Sequence, residues 1–492
     1  MRDVNELIQK LNEEQIKPVL DTEGAVLVIA GAGSGKTRVL TTRIAHLVAN
    51  LNVKPEEILA ITFTNKAADE MKERLTKILD SVSGMWVSTI HSMCVKILRQ
   101  NAYYLGYDKY FTIYDETDKE KVLKRIFTSL GLEQDKFLKS FKNLISSAKN
   151  DCLDPDEFAL ENKHMNYINQ FVSVYKEYEK ELARSNSMDF DDLLCKTYKL
   201  FLYNTEIAES YARQFKYVHI DEFQDTNTVQ FNLAKILSSY YNNLFVVGDD
   251  DQSIYSWRGA KIENILEFDK NFKNAKVYKL ERNYRSTKKI LDLANCIILN
   301  NTGRRGKELW TDKTAGTGIE TFVGGDENAE ASYVSMQIKS LVQRGYSYSD
   351  FAVFMRLNAI SRAFEQEFMK YGIPYKVYGG FRFFERKEIK DLLSYLKIIN
   401  NVKDDESFIR AATTPKRGIG DKTLLTLKEF AVSKNCSIFE VIDYGLESGL
   451  SSGTLSKLVN FKNMLISFKE FEKENGILKV LNYIIDSTAF LL

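Results

Sequence analysis

Apolar runs alternate along this chain with a glycine-rich loop and with amphipathic stretches, and the order is informative. From Ala25 to Phe63 the pattern reads as apolar strand, glycine loop, helix, apolar strand, and short apolar runs recur at Tyr217 to Ile220 and Leu244 to Val247. Runs of this kind, bounded by turn residues and separated by helical pattern, predict a parallel α/β sheet covered on both faces. Between about Tyr103 and Ser187 the strand signals vanish. Helical spacing takes over there, as in Phe171, Val174, Tyr175 and Tyr178, and predicts a helical insertion within the α/β unit. A second strand-bearing region is expected from Lys276, with Val277-Tyr278-Lys279-Leu280 and Phe351-Ala352-Val353-Phe354-Met355, before helical pattern resumes after about Lys387. The expected division is a first α/β unit at 1–103 and 188–276, its insertion at 104–187, part of a second α/β unit at 277–386, and part of a second helical insertion at 387–492.

The chain has 492 residues, enough for about three domains, and 44% hydrophobic, 12% aromatic and 27% charged residues exclude disordered and low-complexity classes. Five prolines and no Gly/Ser-rich tract predict closely joined units. The 68 basic residues are balanced by 67 acidic ones, leaving a net charge of +1, so any polyanion site must be local. Cys94, Cys152, Cys195, Cys296 and Cys436 have no C-x-x-C spacing, which fits a reducing cytoplasm and offers no zinc site. No apolar run approaches the ~18 residues of a membrane span, and a soluble cytoplasmic protein is expected.

Three segments carry chemistry. Ala30-Gly31-Ala32-Gly33-Ser34-Gly35-Lys36-Thr37, with Arg38 after it, follows an apolar strand and has the form of a phosphate-binding loop with Ala30 at its first glycine position. Glycines let backbone N–H groups curl around a phosphate, the following helix adds its positive end, Lys36 would reach the β/γ oxygens, and the Thr37 hydroxyl would ligate magnesium. Asp221-Glu222, after the run Tyr217 to Ile220, supplies an acid pair at the end of a second strand: Asp221 to hold the cation and Glu222 to take a proton from the attacking water. Taken alone, such a pair is a solvated turn. The third segment, Gly248 to Gly259, packs Asp249-Asp250-Asp251, Gln252, Tyr255, Trp257 and Arg258 into one loop. Gln252 could bond a γ-phosphate, while Tyr255 and Trp257 offer flat faces for base stacking beside Arg258. Read without its neighbours, that aromatic pair is simply core.

Together these segments resemble the superfamily-one DNA helicases of the UvrD/PcrA/Rep group, across essentially the whole chain. The resemblance implies a RecA-like first motor with a helical insertion and a partial second RecA-like motor with its own insertion. Within it, Gln15 in Leu11-Asn12-Glu13-Glu14-Gln15 is the adenine reader, and Phe63, Thr64 and Asn65, then Thr89 and His91, belong to strand-binding loops. Phe190 of Asp189-Phe190-Asp191-Asp192-Leu193-Leu194 touches single-stranded DNA. Glu281-Arg282-Asn283-Tyr284-Arg285 places Tyr284 on adenine and sends Arg285 to the γ-phosphate. Arg356 and Asn358 resemble a DNA-contacting motif, with Leu357 where a small hydroxyl residue is usual. Gly379-Gly380 and Glu385 to Asp391 are family-like, and Thr414 to Gly420 resembles a G-I-G hairpin whose Gly418 and Gly420, with Lys416 and Arg417, face duplex phosphate.

Two further family motifs, a coupling motif of the H-x-A-K-G-L-E type and an arginine finger of the T-R-A type, do not occur in this sequence, so a motor cut short within its second insertion is expected. The resemblance implies an ATP- and magnesium-dependent, 3′-to-5′ translocase on single-stranded DNA that separates duplex at junctions and works with repair or replication proteins. The competing expectation is a module that binds ATP and single-stranded DNA without unwinding. A small-molecule kinase is disfavoured by the joint presence of Gln15, Gln252 and Arg285.

Overall fold

The computed structural model describes residues 3–378 and 386–488. Its centre is a six-stranded sheet of β1 (Val26–Ala30), β2 (Ile58–Thr62), β3 (Trp86–Thr89), β6 (Tyr217–Ile220), β7 (Leu244–Gly248) and β8 (Lys276–Leu280), in the order β3-β2-β6-β7-β1-β8. Every neighbouring pair is parallel. All five residues of β1, β2 and β7 are buried, as expected of strands covered on both faces. Alternation splits the runs between two cores. Leu27, Ile29, Leu59, Ile61, Val218, Ile220 and Val246 pack on one side, and Val26, Val28, Ala60, Tyr217, Phe245 and Val247 on the other.

This order decides where chemistry can gather. Strand carboxyl ends in a parallel sheet lie along one edge, and ligands bind where the chain's connections diverge there. Reading along that edge, β3 and β2 come first, then β6, β7 and β1 side by side, then β8. Phosphate loop, acid pair and Gln252 turn therefore meet although more than two hundred residues of sequence separate the first from the last.

The insertion is helical, with Glu116–Ser129, Gln134–Asn150, Pro155–Glu161 and Ile168–Arg184 around a core that includes Leu123, Phe127, Phe141, Phe171 and Tyr178. One expectation fails here. Thr112–Tyr114 and Ser187–Asp189 form β4 and β5, a short parallel ladder where no strand was expected. Two three-residue strands carry too little periodicity to read, and their pairing is long-range.

A second correction concerns Lys276–Leu280. It does not open a second sheet but forms β8 against β1, with Val28 opposite Tyr278. Among the described residues beyond Leu280 there is only an isolated bridge between Arg282 and Trp310, and Phe351–Met355 is not a strand. That segment packs instead against Glu327–Gln343 and Ser361–Lys370. Gly379, Gly380 and Glu385 lie outside the described residues. From Lys387 the chain is helical as expected, around Tyr395, Phe408, Leu427, Phe461 and Phe468.

The two helical units touch through polar groups. Tyr114 donates to Asp404 at 3.1 Å, Asn401 donates to the Asn186 carbonyl at 3.0 Å, and Arg184 and Lys428 pair with Asp405 and Glu181, each at 2.8 Å.

Candidate nucleotide and DNA site

After β1 the chain turns through Gly33 (φ +69°) and Gly35 (φ +95°), left-handed values that favour glycine, and enters the helix Lys36–Ala49. Close approach adds a second reason for glycine. A Cβ on Gly33 would lie 2.7 Å from the Asn283 amide nitrogen, one on Gly35 the same distance from Nε2 of Gln15, and one on Gly31 would collide with Leu309.

Lys36 Nζ lies 3.1 Å from Oε2 of Glu222. That oxygen also accepts from Gln224 Nε2 at 2.9 Å, and Gln224 Oε1 accepts the Asp249 N–H at 2.9 Å. Asp249 in turn accepts from the Gln252 side chain. A continuous chain of contacts therefore runs from the phosphate-loop lysine through the acid pair to the Gln252 turn. Glu222 itself has φ +51°, a strained backbone for a non-glycine residue beside a reactive group. Burial, with Glu222 adjacent, pushes Asp221 up to about 6 against the pull of Lys36, and Asp225 is pushed up to about 6 by burial and the same glutamate. The crowded Asp221 carboxylate and the Thr37 hydroxyl are hard-oxygen donors of the kind that would hold a divalent cation, and its charge would relieve the repulsion.

Several expected residues are placed differently from the motif reading. Gln15 is 2% exposed and inside the fold: it donates to the Ser34 carbonyl at 2.8 Å and accepts the Asn12 N–H at 3.2 Å in a capping box. Its carboxamide holds the phosphate loop rather than standing open for a base. Asn12 instead reaches Tyr284, donating to its hydroxyl at 2.8 Å. Tyr284 is exposed, its N–H bonded to the Gly33 carbonyl at 2.9 Å, and Arg285 is exposed beside it. Arg38 is exposed and donates to the Lys10 carbonyl at 2.9 Å. Asn283 and Gln224 were missed by sequence reading. Asn283 donates to the Ala32 carbonyl at 2.5 Å and accepts the N–H groups of Arg285 and Ser286 at 2.8 and 2.7 Å.

Further along the same edge the rings of Phe63, Phe190 and Trp257 are exposed, and those of Tyr255 and His91 are half-buried. Phe63 stands 4.8 Å from Tyr255 between ring centroids, Tyr255 stands 6.3 Å from Trp257, and the Arg258 guanidinium lies 4.6 Å over the Trp257 ring. His91 contacts Phe190 at 6.1 Å. Burial pushes the His91 imidazole down, opposed by Asp191 and reinforced by Arg258, which places Phe190's turn and Arg258 around one histidine. Trp257 is 63% exposed and Phe190 51%, so the buried-core reading of these rings fails.

Local structure explains why Phe190 faces outward. The acids flanking it are used inward: Asp189 caps its helix and bonds Tyr178 at 3.0 Å, while Lys149 reaches Asp189 at 3.1 Å and Asp192 at 2.9 Å. Thr64 and Thr89 likewise cap the helices that follow β2 and β3, Asn65 begins the first of them, and these caps fix the two loop entries.

Matches to known proteins agree with this layout. Residues 11–273 match the UvrD/REP helicase N-terminal domain, and residues 278–486 match the UvrD-like helicase C-terminal domain. The chain belongs to the UvrD-like helicase family. It is 43% identical over 490 residues to the ATP-dependent DNA helicase PcrA of Staphylococcus aureus and 44% identical over 490 residues to that of Bacillus subtilis, covering 99% of this chain in both cases. The matches span 67% and 66% of those relatives, so the chain corresponds to about two thirds of their length. The boundary between the two family domains falls within a few residues of β8, the strand that closes the first sheet.

The remaining family-like residues lie on other segments. Arg356 and Asn358 are exposed in the turn before Ser361–Lys370. At the G-I-G segment, Gly418 (φ +68°), Gly420 and Lys416 are exposed, but Arg417 turns inward. Its guanidinium donates to the Ala411 carbonyl at 2.8 Å and the Tyr395 hydroxyl at 2.6 Å and lies 5.0 Å over Phe461. The expected phosphate contact by Arg417 is thus corrected to an internal one. Among the described residues no helix is long and apolar enough to cross a membrane.

Proposed function

We propose that the chain is an ATP-hydrolysing motor that moves 3′-to-5′ along single-stranded DNA and separates duplex ahead of it, as a cytoplasmic enzyme of DNA repair or replication. One observation carries this reading: the contacts from Lys36 through Glu222, Gln224 and Asp249 reach Gln252, three residues before Tyr255 and five before Trp257. Nucleotide chemistry, the exposed Trp257 ring and the half-buried Tyr255 ring share one short loop.

In this reading the phosphate loop and Lys36 bind the ATP phosphates, Thr37 and Asp221 hold magnesium, and Tyr284 and Arg285 meet the nucleotide from the β8 side. A bound magnesium would supply charge neutralisation on the β- and γ-phosphates. Lys36 leaves Glu222 when phosphate arrives, because three phosphate oxygens offer more negative charge than one carboxylate. Glu222, freed, accepts the proton of the attacking water. Gln252 trades its bond to Asp249 for the γ-phosphate, which moves the turn bearing Tyr255 and Trp257. Bases stack on Tyr255, Trp257 and Phe63, with Phe190 and His91 on the same strand path, while Arg258, Arg356 and Asn358 meet the backbone. Lys416, Gly418 and Gly420 would meet duplex phosphate. The full-length relatives are named as ATP-dependent DNA helicases, which supports the reading.

The test is ATP turnover with and without a single-stranded oligonucleotide. DNA-stimulated turnover abolished by Lys36→Ala is expected, and DNA binding without turnover would overturn it in favour of a binding module. Direction is read from displacement of streptavidin placed at the 3′ or the 5′ end.

A further inference from the structure

The aspartates after β7 enclose a cation that the motif reading did not assign. Asp249, Asp250 and Asp251 bring a carboxylate oxygen each within 4.8 Å of one another. The ammonium of Lys307 occupies their centre, at 2.7 Å from Asp249, 2.5 Å from Asp250 and 2.6 Å from Asp251, and its side chain is 2% exposed. Burial would lower this ammonium, yet the three carboxylates outweigh it and hold Lys307 above its ordinary value. The neighbours of Lys307 bind the same turn: Arg304 reaches Asp251 at 2.8 Å, and the Arg305 N–H donates to Asp250 at 2.8 Å.

Lys307 also begins a short strut. Two residues on, Leu309 covers Gly31 of the phosphate loop, and the Trp310 carbonyl accepts the Asn283 N–H at 2.7 Å. The strut therefore joins the Gln252 turn to the phosphate loop and to the Tyr284–Arg285 segment. On the first side Lys307 holds one oxygen of Asp249 while Gln252 holds the other.

We propose that Lys307 is the positioning residue through which nucleotide occupancy and single-stranded DNA occupancy are coupled. Resting on the motor reading above, the proposal adds a residue outside the phosphate loop, the acid pair and the stacking loop. By bridging three carboxylates and offsetting part of their charge, Lys307 keeps the Asp249–Asp251 turn closed, so displacement of Gln252 at the nucleotide is transmitted to Tyr255 and Trp257 instead of being absorbed by a loosened turn. A carboxylate cluster deprived of the ammonium at its centre would open by mutual repulsion.

The experiment is linkage without hydrolysis. Affinity for AMP-PNP with magnesium is measured with and without an oligo(dT) strand, in the unaltered chain, Lys307→Met, Lys307→Arg and Asp251→Asn. The unaltered chain is expected to show a coupling factor of about fivefold or more. Lys307→Met should bring that factor to near unity while leaving each ligand's separate affinity within about twofold, because the buried Lys307 side chain acts on the site only through the aspartates it holds. Lys307→Arg should restore most of it. Asp251→Asn, which keeps the lysine and weakens its cage, should give an intermediate factor, and it carries the test if Lys307→Met does not fold. Full coupling in Lys307→Met, or in Asp251→Asn where that variant stands in for it, overturns the proposal, as do equal losses of both separate affinities. Failure of the unaltered chain to bind either ligand overturns the motor reading itself, and binding of both without coupling overturns the proposal alone.

Discussion

Lys36 and Glu222 are ion-paired at 3.1 Å, so the lysine that would grip phosphate and the carboxylate that would activate water hold each other. The pairing would set the Glu222 carboxylate and an incoming phosphate in competition for Lys36. It also means that removing one partner alters the resting state of the other.

Glu222→Gln is expected to lower turnover by about 10²-fold or more, the usual worth of a general base, while AMP-PNP binding stays equal or tightens because Lys36 is released. Lys36→Ala should instead weaken nucleotide binding. Parallel steady-state and equilibrium titrations separate the two, and a weaker affinity in Glu222→Gln would contradict the competition between carboxylate and phosphate.

The rings of Trp257, Tyr255 and Phe63 make a quantitative claim. Base–aromatic stacking is worth about 1–3 kcal/mol per base, so Trp257→Ala and Tyr255→Ala should each weaken oligonucleotide binding by roughly 5- to 150-fold at fixed salt. Phe63→Ala should lose part of the same energy, because its ring packs 4.8 Å from Tyr255 and supports it. Fluorescence anisotropy at two salt concentrations checks this. Stacking losses leave the salt slope unchanged, whereas loss of Arg258 lowers it.

How much of this was legible in advance follows from the range of each interaction. The strand–loop–helix at Val26 to Ala49 is written locally, in one apolar run, glycines at left-handed positions and a helix start, and the structure has it there. The strands carrying Asp221 and Gln252 were readable for the same reason. What could not be read is pairing. Lys276–Leu280 looks like a new beginning by sequence, and only hydrogen bonds to Val26–Ala30 make it the last strand of the first sheet. Gln15 and Arg417 were recognised as residues but not in their direction, since their partners, the Ser34 and Ala411 carbonyls, are set by tertiary packing. Lys307 is one more lysine in sequence and becomes informative only among three aspartates.

The contact between the two helical units has a pH signature. Burial alone would raise Glu181, but Lys428 and Arg184 outweigh it and hold its carboxyl at about 2. Burial also pushes the Lys428 ammonium down to about 8. Glu181's contribution is therefore fully present above the ordinary glutamate value of 4.5 and is lost as the pH falls toward about 2. The Lys428 charge costs stability below about 8, and that cost is relieved as the pH rises above it. Glu181→Gln should cost about 3 kcal/mol near neutrality, the usual penalty for removing one partner of a buried pair, with the difference shrinking below the ordinary value of 4.5 as acid protonates this carboxylate in the unfolded chain while the folded chain keeps it ionised. Melting temperatures from pH 7 to 3 check it, and a constant difference across that range would rule out the ion pair as the cause.

Lys416 and Arg417 are adjacent cations that the structure uses in opposite ways. Lys416 is exposed beside Gly418, while Arg417 closes the base of the turn on two carbonyls, the Tyr395 hydroxyl and the Phe461 ring. Lys416→Ala is expected to leave the melting temperature unchanged and to weaken binding of a duplex junction modestly, with a shallower salt dependence as one phosphate contact is lost. Arg417→Ala should take a charged donor from the Ala411 carbonyl, which the Tyr395 hydroxyl shares, and from the Pro415 carbonyl, and lower stability by about 1–3 kcal/mol. Arg417→Lys should recover little of it, because a single ammonium cannot bridge two carbonyls, a hydroxyl and a ring face in one plane. Thermal melts and junction binding measured on all three variants decide the assignment: junction binding lost in Arg417→Ala with an unchanged melting temperature would return that arginine to the DNA.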